Sequence, residues 1–285
     1  MQNVSKHEYK KKINNKLKKE ADSSPALKSD ESTGRITLHT LIYAASPALL
    51  YTALSSITYS VIALALPDCS AIIMQGIALL VCLAFFIWYA VRERILVRAV
   101  KKSAYRYPAS FCYVSAVALC SIACNYLIVF TGLTEISAGY KHVSDIFYNN
   151  RLLIEIITLC VIGPMVEELV YRGFVYQRLR YKGGRSMAVL LSALLFGALH
   201  FNLVQGVYAF TLGLLLAYIG EQTGSLVTAA AAHMAANLAS VLWTETDWLD
   251  FLNQGTMGAY GVTAVCLLLT AVFISYGNRL IRLEK

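Results

Sequence analysis

The stretch Thr158-Leu-Cys-Val-Ile-Gly-Pro-Met-Val-Glu-Glu-Leu-Val-Tyr-Arg-Gly-Phe-Val-Tyr176 sets Glu167, Glu168 and Arg172 inside what otherwise reads as a membrane-spanning helix. A charge in hydrocarbon costs about 2.5–3.5 kcal/mol on insertion scales. Ionisable groups at that depth are therefore kept where they pair with one another or carry function. Downstream helical runs bring His200 and His233 to comparable depth, and these five residues are the first candidates for a site.

Composition agrees with a lipid solvent around this stretch. The 285 residues are 57% hydrophobic and 15% charged, with a mean hydropathy of +0.56. Several apolar runs are long enough to cross the hydrocarbon core, which takes about 20 residues each. Eight spans are expected, near 36–66, 70–89, 108–133, 152–176, 186–200, 203–220, 226–243 and 258–276, the first kinked at Pro47 or divided into a span and an interfacial piece. All should be helices, because an open sheet edge leaves its polar backbone unsatisfied in lipid. The fold class is thus all-α, a polytopic membrane protein of about eight transmembrane helices around a polar intramembrane cavity. The seven cysteines are odd in number, lie mostly in apolar helices and form no CxxC pair. They read as small packing residues rather than a disulfide framework or metal finger.

Residues 1–35 differ from the rest. They are polar and carry eight lysines, and they read as a flexible basic cytoplasmic tail at an anionic leaflet rather than a nucleic-acid binder or a cleaved leader. The transmembrane domain is 36–285. With the tail inside, the inner connections hold 22 of the 25 Lys and Arg, the outer ones hold only Lys141 and Arg151, and Arg172 lies within a span. Both termini are then cytoplasmic. The net charge of +8 follows from topology and needs no acidic partner, and the chain reads as a multi-pass protein of a bacterial plasma membrane. Smaller features fit the same frame: Trp88, Tyr89, Trp243 and Trp248 fall at span ends, Glu155 falls near a wetted outer end, and Gly206, Gly213 and Gly220 recur on one close-packed face.

On the fourth span Glu168 and Arg172 are four apart, so they stack on one face and can pair, which lowers the cost of burying each. Glu167 is turned about 100° away and faces a neighbouring helix. Phe196 and His200, and likewise His233 and Asn237, share the four-residue spacing. Counted from the basic ends at about 1.5 Å per residue, Glu167, His200 and His233 lie within reach of one chamber. A carboxylate, imidazoles and an amide converging at low dielectric suit hydrolysis of a peptide bond. Glu167 or His200 would activate water as general base, and His233 with Asn237 would polarise the substrate and hold the oxyanion. Glu167, His200 and His233 are also the candidate ligands if a metal is present, zinc being the ion they would suit. The His-Glu-x-x-His signature is absent, so the metal stays open.

Glu-Glu-x-x-x-Arg (Glu167, Glu168, Arg172), Phe-x-x-x-His (Phe196, His200) and His-x-x-x-Asn (His233, Asn237), in this order on successive apolar helices, resemble the CPBP family, the CAAX protease and bacteriocin-processing intramembrane endopeptidases. The resemblance covers 152–242. It implies an eight-helix core whose site opens toward the cytoplasmic leaflet and cleaves a peptide or protein tail, lipidated or not, near the cytoplasmic face. By the same resemblance Glu167 and His200 would activate water, His233 and Asn237 would form the oxyanion site, and Glu168, Arg172 and the packing residue Phe196 would give structural support. Two alternatives come from other classes: a peptide-binding immunity or scaffold protein that does not cut, and a proton- or ion-coupled transporter using the same buried groups. The expected partners are membrane lipid and a peptide or protein-tail substrate, with no nucleic acid.

Overall fold

The computed structural model describes residues 36–93, 107–137, 139–141, 143, 151–246 and 256–283. The expectations for the basic tail 1–35 and for Trp248 lie outside them. Among the described residues there is no strand. The helices are α1 Leu38–Ala65, α2 Ala71–Arg92, α3 Tyr107–Phe130 and the single turn α4 Leu133–Ile136. A composite rod, α5, follows: Leu152–Glu155, a wider π stretch Ile156–Ile162, Gly163–Glu168 and a second π stretch Leu169–Val175. Then come α6 Tyr176–Ala198, α7 Leu203–Thr223, α8 Leu226–Glu245 and α9 Thr256–Leu283. Each of the eight expected spans corresponds to helix. Six, α1 to α3 and α7 to α9, are long and apolar enough to cross a membrane. In α5 and α6 the π stretches and the basic residues at 178–185 interrupt the pattern.

The helix ends are fixed by local chemistry. Asn202 Oδ1 accepts the Gln205 N–H at 2.8 Å to start α7, and Ser225 Oγ accepts the Thr228 N–H at 3.1 Å to start α8. Each satisfies a donor that the first turn leaves without a helical partner. Gly184, at φ 74°, breaks α6 internally, which lets the chain leave the α5 direction and turn back through the membrane.

Pro47 does not divide the first span, since Leu38–Ala65 is one helix with Pro47 buried inside it. The proline has no N–H for the Tyr43 carbonyl four residues earlier. Ser46 Oγ and Arg178 Nη1 donate to that oxygen instead, at 2.9 and 2.8 Å. Arg178 also reaches Tyr89 Oη at 2.9 Å, and Tyr89 stacks on Phe174 with ring centroids 4.6 Å apart. Tyr89 is therefore a packed residue rather than the lipid-interface aromatic expected, while Trp88 is 56% exposed.

The rod α5 runs through the middle, touching α1 and α2 on one side and α8 on another, while α3 packs on α8 and α9, and α6 on α7. The glycine face of α7 is what brings α6 close. Gly213 meets Phe196 and Ala193, and a Cβ on Gly197 would lie 2.6 Å from the Gly206 carbonyl oxygen and 2.9 Å from Phe210 Cβ. Gly197→Ala must push the two helices apart, at a cost of about 1–3 kcal/mol. A lowered unfolding midpoint in detergent, with weakened activity because His200 is one turn away, is the expected result. All seven cysteines are free.

Candidate active site

Glu168 and Arg172 meet as the four-residue spacing requires, with Arg172 Nη1 2.8 Å from Glu168 Oε1 and both side chains buried. Arg172 Nη2 also donates to the Gly213 carbonyl at 3.2 Å, and its guanidinium sits 4.9 Å over the Phe196 ring. The pair is thus anchored to α7 and α6 as well as to its own helix.

The same carboxylate does more than the sequence disclosed. Glu168 Oε1 lies 2.9 Å from His233 Nδ1. A carboxylate only accepts, so Nδ1 carries the proton, and Nε2 is left facing the other way, 3.8 Å from Glu167 Oε2. His200 is fixed by the same logic. Its Nδ1 is 2.7 Å from the Phe196 carbonyl oxygen, so Nδ1 donates and Nε2 keeps its lone pair. The Phe196 ring stands edge-on to both imidazoles, at 4.9 Å from His200 and 5.7 Å from His233. It packs against both of them. Phe201 follows His200 with φ 56°, a left-handed conformation that costs a non-glycine residue about 1–2 kcal/mol. That sharp turn ends α6 at the site.

Glu167 is 19% exposed and does face other helices, receiving Tyr51 Oη from α1 at 3.4 Å. Tyr51 carries no motif, and nothing in the sequence marks it.

Asn237 has a partner of its own that spacing did not indicate. Its Nδ2 donates to the Leu159 carbonyl oxygen at 2.8 Å, so one of its two amide hydrogens is already engaged. The reason lies in α5. Gly163 N–H bonds Thr158 O, five residues back, and in that register the donor for Leu159 O would be residue 164, which is proline and has no N–H. The π stretch and Pro164 together leave a carbonyl bare, and Asn237 satisfies it, tying α8 to α5. Asn237→Ala should therefore cost about 1 kcal/mol by removing the partner of a part-buried acceptor. In a Pro164→Ala background, which restores a backbone donor, the same change should cost less; unfolding of the four proteins in a double-mutant cycle measures the difference. Glu155, expected to be wetted, is instead fully buried.

Glu167, His200, His233 and Asn237 line one cavity of about 630 Å³, together with Tyr51, Phe196 and Tyr208. Among the described residues no group of three or more His, Cys, Asp or Glu is placed to hold a metal ion. Glu167 and His233 approach one another, but His200 does not complete the candidate set.

The cavity extends from the site toward one end of the bundle. The rest of its lining comes from the late part of α1 (Ser55, Tyr59, Ser60), the start of α2 (Gln75), the end of α3 (Val129) and the end of α8 (Thr244). These are the helix ends farthest from the basic connections.

A part-exposed carboxylate, two imidazoles whose Nδ1 atoms are held, with His233 Nε2 turned toward that carboxylate, and an engaged amide, drawn from α5, α6 and α8 and sharing a cavity in a polytopic helical protein, form a site equipped for acid–base chemistry. Residues 149–239 match the family model described as type II CAAX prenyl endopeptidase Rce1-like, so this stretch of the chain is similar to the CAAX protease family. At family level that is an intramembrane endopeptidase. No curated protein and no solved structure gave a match.

Proposed function

We propose that the protein hydrolyses a peptide bond inside the cavity with a water molecule activated by Glu167 and His200. The observation that carries this reading is the pair of fixed tautomers: Phe196 O holds His200 Nδ1 and Glu168 holds His233 Nδ1, so both Nε2 atoms are left for chemistry. Water donates one hydrogen to Glu167 and is oriented by the lone pair of His200 Nε2. As its oxygen attacks the scissile carbonyl carbon, the proton moves to Glu167 and negative charge builds on the carbonyl oxygen. Two donors suit that oxyanion: His233 Nε2 when protonated, its charge balanced by Glu167 and Glu168, and the second amide hydrogen of Asn237. Collapse breaks the C–N bond, and Glu167 returns its proton to the leaving amine. Glu168, Arg172 and Phe196 position the imidazoles.

The substrate in this reading is a peptide or the terminal segment of a protein, reached in the membrane. Comparative peptidomics of cells expressing the wild type or Glu167→Gln tests it. A peptide pair that joins into one longer species only in the variant is the expected result, and identical peptidomes would remove the assignment.

A further inference from the structure

The direction of the cavity bears on the side from which a substrate would enter. One end of the bundle gathers the start of α1, the end of α2 and the start of α6, through Arg178 on Tyr43, Ser46 and Tyr89. It also gathers the start of α3, the end of α7 and the end of α9, through Asn278 accepting from Tyr113 and Tyr218. Glu221 near the end of α7 meets Arg180 at 3.3 Å, and Ser110 on α3 meets Thr228 at the start of α8 at 2.9 Å. These ends flank the connections that carry 22 of the 25 Lys and Arg in the sequence. Such a bias sets the orientation of a polytopic protein and puts this end in the cytoplasm.

From the site the cavity runs the other way. Its lining along α1 is Tyr51, Thr52, Ser55, Ser56, Tyr59 and Ser60, a hydroxyl ladder on two adjacent four-residue rows that climbs from Glu167 toward the end of α1 at Ala65. Ser60 on α1 and Thr244 on α8 are exposed at the mouth. Among the described residues the one acidic side chain in the lining is Glu167, and none is Lys or Arg. A wall of neutral hydroxyls offers hydrogen bonds to a peptide backbone without demanding a charged or wholly apolar ligand.

We propose that the mouth faces the non-cytoplasmic side and that the substrate is an uncharged extended peptide segment presented there, along the α1 ladder. The class of substrate rests on the hydrolytic reading above, whereas the side of access does not. In a Cys69→Ser background, which removes the one cysteine that is not buried, Ser60→Cys and Thr244→Cys are introduced singly at the mouth. Lys182→Cys, at an exposed position on the basic end, serves as the reference. A membrane-impermeant maleimide is then added to intact cells and to permeabilised cells. The expected result is modification of Ser60→Cys and Thr244→Cys in intact cells, and of Lys182→Cys only after permeabilisation. The reverse pattern overturns the inference, and so does a mouth unmodified under both conditions. Either mouth variant decides the matter if the other fails to insert. Because labelling needs no turnover, a reversed pattern beside intact Glu167-dependent cleavage removes this inference alone. The expected pattern without any cleavage removes the hydrolytic reading alone.

Discussion

Glu167→Gln is expected to lower peptide turnover by about 10²–10⁴-fold, the usual contribution of a general base, with little change in stability. Glutamine keeps an oxygen to accept from Tyr51, now 3.4 Å away, and the side chain is partly open to the cavity rather than sealed in the core. Only the ability to take a proton from water is lost. Initial rates on a peptide identified by peptidomics, set beside the unfolding midpoints of both proteins in the same detergent, check this. A variant with wild-type rates would show that Glu167 is not the base.

Arg172→Met should act in the opposite sense, through stability first. It leaves Glu168 fully buried with its guanidinium partner gone, and breaking a buried ion pair from one side costs about 3–5 kcal/mol. The same carboxylate holds His233 Nδ1, so activity should fall with the unfolding midpoint. The double change Arg172→Met with Glu168→Gln removes the stranded charge and should recover part of the stability. It should recover less activity, because an amide can offer either its oxygen or its hydrogens to Nδ1 and no longer fixes the tautomer. Denaturant unfolding of the three proteins measures the stability terms.

The eight helical segments were legible because hydropathy reports the solvent, and long apolar runs have one solution in lipid. The Glu168–Arg172 pair was legible because both ends lie on one helix, where spacing decides who meets whom. What spacing does not encode is which side chain of another helix arrives at a given face. The Glu168–His233 contact is of that kind, and it makes a residue expected only to support the site the one that sets a tautomer within it. Asn237 shows a second limit: its bond to Leu159 O depends on the π register of α5 and on Pro164, and a π turn is invisible to a period of 3.6. Tyr51 and the buried Glu155 were missed because an isolated polar residue on an apolar helix looks alike whether it faces lipid headgroups or a protein interior. The course of the cavity required three-dimensional placement of helix ends, which spacing along one chain does not supply.

The hydrolytic role of the chamber shared by Glu167, His200 and His233 is tested most directly by a single-turnover cleavage in ¹⁸O-labelled water, with purified wild type and Glu167→Gln side by side. The wild type is expected to incorporate ¹⁸O into the newly formed carboxyl terminus, and the variant to give no product on the same timescale. Product lacking the label, or labelled product formed by Glu167→Gln at the wild-type rate, would contradict it.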